Sequence, residues 1–111
     1  MTRLFVSGPM SGLPGYNLPA FAEATDLLES VRFRDVVNPG RFGVIPGYEW
    51  RDYMRDSIRG LLLCDAVAVL DGWQESKGAR LEVTIAMDLE MPVHGVDWWL
   101  ENGVTGDGSA A

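Results

Sequence analysis

Cysteine is nearly missing from this chain: Cys64 stands alone, so no intrachain disulfide can form and nothing points to an oxidising compartment. Histidine is as scarce. With His94 as the sole imidazole there are too few ligands for a His/Cys zinc centre, and no metal is expected. Positive charge is also in short supply, nine Lys and Arg against sixteen Asp and Glu for a net charge of -7. That balance opposes a duplex nucleic-acid partner, whose binding is dominated by cationic contacts to phosphates. A small molecule is the expected partner, with Arg3, Arg41, Arg51, Lys77 and Arg80 as local groups able to hold one phosphate. Long apolar runs are absent: residues 61–70 are interrupted by Asp65 and too short to span a bilayer. The run at Leu4-Phe5-Val6 falls far below the apolar core of a signal peptide. A soluble, cytoplasmic protein without a membrane partner is expected. Neither a G-x-G-x-x-G fingerprint nor a P-loop occurs, so neither dinucleotide nor ATP binding follows, and no cofactor is expected.

What is present is enough for one core. At 111 residues and 47% hydrophobic content the chain reads as a single domain over residues 1–101, with a Gly-rich, frayed tail at 102–111. Leu4-Phe5-Val6 is a buried first strand that stops at Ser7-Gly8-Pro9. Asn17 is a good N-cap with Pro19 in the first turn, and Phe21, Ala24, Leu27, Leu28 and Val31 form the inward stripe of the helix that follows. Asp35-Val36-Val37 is a second strand. Residues 41–49, with Gly43, Pro46 and Gly47, have no helical period and read as a loop or lid carrying Phe42 and Tyr48. Tyr53, Met54, Ile58, Leu61 and Leu62 mark a second helix from Trp50 to near Cys64. A third strand covers residues 66–70, a third helix residues 78–91 with Leu81, Ile85, Ala86 and Leu89 as its apolar positions, and a fourth strand residues 92–96. Alternating strand and helix with short joins implies an α/β fold on a parallel sheet with right-handed crossovers.

The richest stretch is Ser76-Lys77-Gly78-Ala79-Arg80-Leu81-Glu82. It puts one carboxylate in the opening turn of a helix after a buried strand, near the carboxyl edge where open α/β sheets bind ligands. Glu82 there can act as nucleophile or base, and the helix-end amides beside Ser76 and Gly78 favour an anion. The same pattern suits a plain cap, with Ser76 closing the helix and Glu82 answering its dipole. Ser7-Gly8-Pro9-Met10-Ser11-Gly12 lies between strand and helix, where amides and hydroxyls can meet a phosphate, or where Gly and Pro simply break the chain. Asp71 follows the third strand and is the most suggestive second acid. Asp52 and Asp56 share a helix face, as solvated groups do. Trp50 and Tyr48 can stack on a base or simply pack. Cys64, beside Leu61-Leu62-Leu63, reads as buried filler.

These segments together resemble a known group. The residues are Ser7 to Gly12, Tyr16-Asn17 with Pro19-Ala20-Phe21, Val37-Asn38-Pro39, Trp50 with Asp52-Tyr53-Met54, Cys64-Asp65-Ala66-Val67, and Gly72-Trp73 with Ser76 to Glu82. They look like a small family of phage and bacterial proteins, similar in turn to nucleoside 2-deoxyribosyltransferases and 2'-deoxynucleoside 5'-monophosphate N-hydrolases. The resemblance covers about residues 3–96. It implies a three-layer flavodoxin-like or Rossmann-like domain with a parallel sheet of four or five strands. It also implies cleavage of an N-glycosidic bond, or deoxyribosyl transfer, on a 2'-deoxynucleoside or its 5'-monophosphate. Glu82 matches the nucleophilic glutamate, Ser76 and Gly78 match 5'-phosphate contacts, and Pro9 to Gly12 fall on the other phosphate loop. Asp71 falls where the transferases carry a sugar-contacting aspartate. Many relatives hold an aspartate eight residues before Asp65, where this chain has Ser57, with Asp56 one place earlier and about 100° away on a helix.

The expected catalytic set is therefore Glu82, Asp71 and Asp56, with Ser7, Gly8, Pro9, Met10, Ser11, Gly12, Ser76 and Gly78 binding substrate. Ser57 keeps open an alternative, a non-catalytic nucleotide-binding accessory protein of a phage or prophage. A structural or interaction module is a third reading, raised by Trp98-Trp99. That aromatic pair, and the dimers formed by the related enzymes, lead to the expectation of a homodimer or higher homo-oligomer.

Overall fold

A computed structural model describes residues 2–31, 33 and 35–103. Strands β1 (Arg3–Ser7), β2 (Asp35–Val37), β3 (Ala66–Val69) and β4 (Val93–Gly95) alternate with helices α1 (Leu18–Val31), α2 (Trp50–Leu62), α3 (Lys77–Asp88) and α4 (Val96–Asn102). The strands form one all-parallel sheet in the order β2-β1-β3-β4. The fold is α/β, compatible with a flavodoxin-like three-layer arrangement. Among the described residues no helix is long and apolar enough to cross a membrane.

The layers follow from the two-residue period of a strand. Leu4 and Val6 of β1, with Ala66 and Ala68 of β3, face α1 and α4, where Phe21, Ala24, Leu28, Phe33 and Trp99 complete one core. Phe5 and Val67 face the other way, against Leu61 of α2, Ala86 of α3 and Cys64. In register, Phe5 pairs with Val67 and Ser7 with Val69, so Ser7 lies on the Phe5 side of the sheet. That phase aims a hydroxyl, at the carboxyl edge, into the α2/α3 layer.

Helix stripes are narrower than their spacing implies. In α1 Phe21, Ala24 and Leu28 are buried, whereas Leu27 and Val31 are exposed beside the stripe. Met54 and Leu61 are the buried residues of α2, and Leu62 is exposed. In α3 the inward residues are Ala79, Glu82, Val83 and Ala86, while Leu81 and Leu89 face outward. Glu82 occupies a core position, while its neighbour Leu81, which the apolar period placed inward, faces out.

Asn17 does not cap α1. It sits in the left-handed region (φ 59°) and its side-chain amide donates to the Pro9 carbonyl (2.9 Å), tying the β1 loop to the helix start. The turn of α4 is also unforeseen, because seven residues are too few to display a helical period. Trp99 is drawn inward, its indole N–H donating to the Val67 carbonyl (2.9 Å) and its ring meeting Phe33 edge-on. Trp98 alone of the pair reaches the surface, stacked on His94. Asn102, where the tail was expected to begin, closes α4; residues 104–111 lie outside the described set.

Leu61 is fully buried and its neighbour Leu62 is 56% exposed. Leu61→Ala should cost about 2 to 5 kcal/mol in denaturant unfolding. Leu62→Ala should stay within about 0.5 kcal/mol.

Candidate active site

The carboxyl edge of the sheet opens into a cavity of about 440 Å³. Gly8, Met10 and Ser11 line it after β1, Pro39 and Gly40 after β2, and Ser76, Gly78, Ala79 and Glu82 at the start of α3. The strand order reverses between β1 and β3, the place where open α/β sheets form ligand crevices. One wall belongs to α2, through Trp50, Tyr53, Met54 and Ser57, and the loop at residues 43–48 forms another.

Glu82 is only 5% exposed and projects from α3 between β1 and α2. Ser7 Oγ donates to its Oε1 at 2.6 Å, and Ser57 Oγ donates to its Oε2. Each carboxylate oxygen thus receives one hydroxyl, from a different element. Burial pushes the Glu82 carboxyl above its ordinary value of 4.5, and the hydroxyls of Ser57 and Ser7 pull it partly back. Among the described residues that line the cavity, Glu82 is the sole charged side chain.

Ser76 caps α3, its Oγ accepting the Ala79 amide at 3.2 Å. The plain capping role expected for Ser76 is therefore present, and the residue also lines the cavity. Gly78 has a packing reason: a Cβ there would lie 2.9 Å from Met54 Sδ and 3.8 Å from Trp50 Nε1. Trp50 thus sits directly over the opening turn of α3, with Lys77 Nζ 4.2 Å from its ring centroid. Gly8 is equally constrained, because a Cβ would come within 2.7 Å of Leu70 Cβ.

Residues 41–49 form a loop, as expected, and residues 43–48 of it line the cavity. Tyr53 Oη accepts the Ile45 amide (2.8 Å) and donates to the Ile45 carbonyl (3.2 Å), pinning the loop tip to α2. Gly43 and Gly47, both in the left-handed region, flank that tip. Tyr48 lines the cavity, and its hydroxyl donates to Asp56 Oδ2 at 2.7 Å. That bond to Asp56 raises the Tyr48 hydroxyl above its ordinary value. Phe42 is exposed and does not reach the cavity.

The chain matches the model of the domain of unknown function DUF4406 over residues 2–95. It belongs to the DUF4406 family. No curated protein matches it, and no solved structure does.

Of the residues singled out from the DUF4406 sequence, the fold gathers Ser7, Gly8, Met10, Ser11, Ser76, Gly78 and Glu82 at one place. Pro9 and Gly12 belong to the same loop but do not line the cavity. Asp56 and Asp71 are not brought to Glu82. Asp56 is exposed and bonded to Tyr48 and Arg59 (2.9 Å), one helical step from Ser57, which faces the carboxylate instead. Asp71 borders a separate recess with Val69, Leu70, Gly95, Val96 and Asp97. Ser57, noted in the sequence only as a departure, is a direct partner of Glu82; its place four residues after Tyr53 and seven after Trp50 was the available signal. Cys64 is buried and its thiol is pushed up to about 11 by that burial, which suits a packing role. Among the described residues no cluster of three or more His, Cys, Asp or Glu is placed to hold a metal ion.

Because burial raises the Glu82 carboxyl in the folded state, the folded protein holds this proton more tightly than the unfolded chain. The associated stability is complete below the ordinary value of 4.5 and is lost as pH rises through the higher folded-state value. Glu82→Gln, which cannot ionise, should lack that loss and melt at a higher temperature than the wild type at pH 7. Melting curves across pH 4 to 8 for both proteins check the sign.

Proposed function

We propose that this domain cleaves the N-glycosidic bond of a 2'-deoxynucleoside or its 5'-monophosphate, or transfers the deoxyribosyl group, with Glu82 as nucleophile. The observation that carries the reading is the buried Glu82 carboxylate at the floor of a cavity on the ligand edge of the sheet. A carboxylate so held can attack the anomeric carbon as the base departs through an oxocarbenium-like transition state. Water or a second base then releases the sugar from the enzyme, giving hydrolysis or transfer.

The hydroxyls of Ser7 and Ser57 support this role by favouring the charged form that attacks and by fixing its direction. Ser76, Gly78, Met10 and Ser11 surround the space above Glu82, where helix-end amides favour a 5'-phosphate. Gly8, Pro9 and Gly12 shape the loop that supplies Met10 and Ser11. Trp50 and Tyr48 offer faces for the base. The single unbridged Cys64 supports a cytoplasmic setting. The positions of Asp56 and Asp71 favour a second reading, a nucleotide-binding accessory protein that retains the pocket without turnover.

Incubating the protein with each deoxynucleoside monophosphate, with and without a second free base, and chromatographing the products separates these readings. Base release lost in Glu82→Gln supports the first; ligand-induced stabilisation without product supports the second. Since the attacking carboxylate must be ionised, the rate should fall on the acid side with a midpoint above 4.5. Release unchanged in Glu82→Gln removes the residue from the mechanism.

A homo-oligomer is also proposed. Leu62, Leu63, Met87 and Leu89, at the carboxyl ends of α2 and α3, are all exposed apolar residues on one layer. Light scattering at working concentration should give at least twice the chain mass of 12.2 kDa, and a monomer contradicts the proposal.

A further inference from the structure

Among the described residues no cation lies against the buried Glu82 carboxylate. The groups that meet it, Ser7 from β1 and Ser57 from α2, are neutral. Charges on the surrounding elements are engaged elsewhere. On β1 the Arg3 amide bonds Asp65 and its guanidinium meets Asp35 (3.7 Å). On α2 Asp52 caps Glu49, Arg51 meets Glu49, and Asp56 holds Tyr48 and Arg59; Arg55 is exposed. On α3 Arg80 donates to the Gln74 carbonyl and Lys77 lies over Trp50. His94 of β4 pairs with Ala68, on the opposite face of the sheet, and stacks on Trp98.

Five aromatic residues line the cavity: Tyr16, Phe21, Tyr48, Trp50 and Tyr53. A buried anion in a cavity lined by aromatic rings is an environment that draws a cation, by Coulomb attraction and by the ring quadrupoles. Lys77 lies over the Trp50 ring at 4.2 Å but does not line the cavity, so it leaves the charge of Glu82 unmatched there. The leaving group meets the same constraint. A neutral heterocycle departs well only when an acid protonates it, an effect worth about 10² to 10⁴ in rate. Asp56 and Asp71 do not line the cavity, and the Tyr48 proton is committed to Asp56.

We infer that the substrates of this site are N-glycosides of cationic heterocycles, such as an N7-alkylated purine or an N-linked pyridinium. This inference rests on the proposed role of Glu82 as glycosyl acceptor. One Glu82 carboxylate oxygen forms a bond to the anomeric carbon while the carbon–nitrogen bond breaks. Its electron pair passes to the ring nitrogen, cancels the positive charge, and the heterocycle leaves neutral without taking a proton. Water then opens the glycosyl ester, giving the free sugar and returning one proton to solvent. Both halves balance without a second acid.

The test compares 7-methyl-2'-deoxyguanosine with 2'-deoxyguanosine, and their 5'-monophosphates, which differ in the charge and methyl group of the base. Wild-type protein and Glu82→Gln, with folding checked by circular dichroism, are assayed for released base against a protein-free control. The expected result is a kcat/KM at least about 100-fold higher for the cationic member of each pair, on the scale of the missing acid, and lost in Glu82→Gln. Glu82-dependent release with a ratio within about tenfold, or with the neutral member faster, overturns the inference and leaves the glycosidase reading standing. No release from any of the four compounds, or release unchanged in Glu82→Gln, overturns both.

Discussion

The hydrogen bonds from Ser7 and Ser57 to Glu82 join β1, α2 and α3 around one buried carboxylate. A carboxylate shut away from water costs several kcal/mol unless its oxygens are satisfied. Here each oxygen receives a hydroxyl, and no buried side-chain polar atom among the described residues is left without a partner. Removing either serine therefore leaves more than a missing contact. It exposes the cost of burial, which raises the carboxyl further or lets the helix withdraw. The cavity and the packing of α3 against β1 depend on the same three side chains.

Much of this was legible because it is periodic. Alternation along β1 and β3 assigns Leu4, Val6, Ala66 and Ala68 to one layer and Phe5 and Val67 to the other, and a parallel sheet follows from the intervening helices. The same alternation puts Ser7 in phase with Phe5, although the meaning of that phase needs α3 in place. Leu81 and Leu89 misled because apolar side chains also occur on the outer face, while a buried Glu82 breaks the rule that acids stay outside. α4 was too short to announce itself, and Asn17 forsook the cap for the Pro9 carbonyl. Ser57 became intelligible only with its rotation about α2 known: one residue earlier, Asp56 points to Tyr48 and Arg59.

The loop at residues 43–48 and α2 behave as one wall. Tyr53 grips both backbone groups of Ile45 from within, and Asp56 grips Tyr48 from the outer side. Asp56 thereby acts on the site through Tyr48, as a positioning residue rather than as an acid that touches a ligand. Gly78 serves the same wall differently, since the absence of a Cβ lets Met54 and Trp50 close on the first turn of α3. The α2 wall of the cavity is thus set by packing, and the wall beside it by a loop with left-handed glycines at either side of its tip.

Burial acts on Glu82 in two opposed ways. Desolvation makes the carboxylate a more reactive and more basic oxygen, and it also lowers the fraction ionised near neutral pH. Ser7 and Ser57 move that balance toward the charged form while occupying only one lone pair on each oxygen. An arginine in their place would have ionised Glu82 more completely, but it would also have neutralised the cavity. Two neutral donors leave Glu82 as the sole charged side chain among the described residues that line the cavity, without a countercharge, beside the aromatic walls.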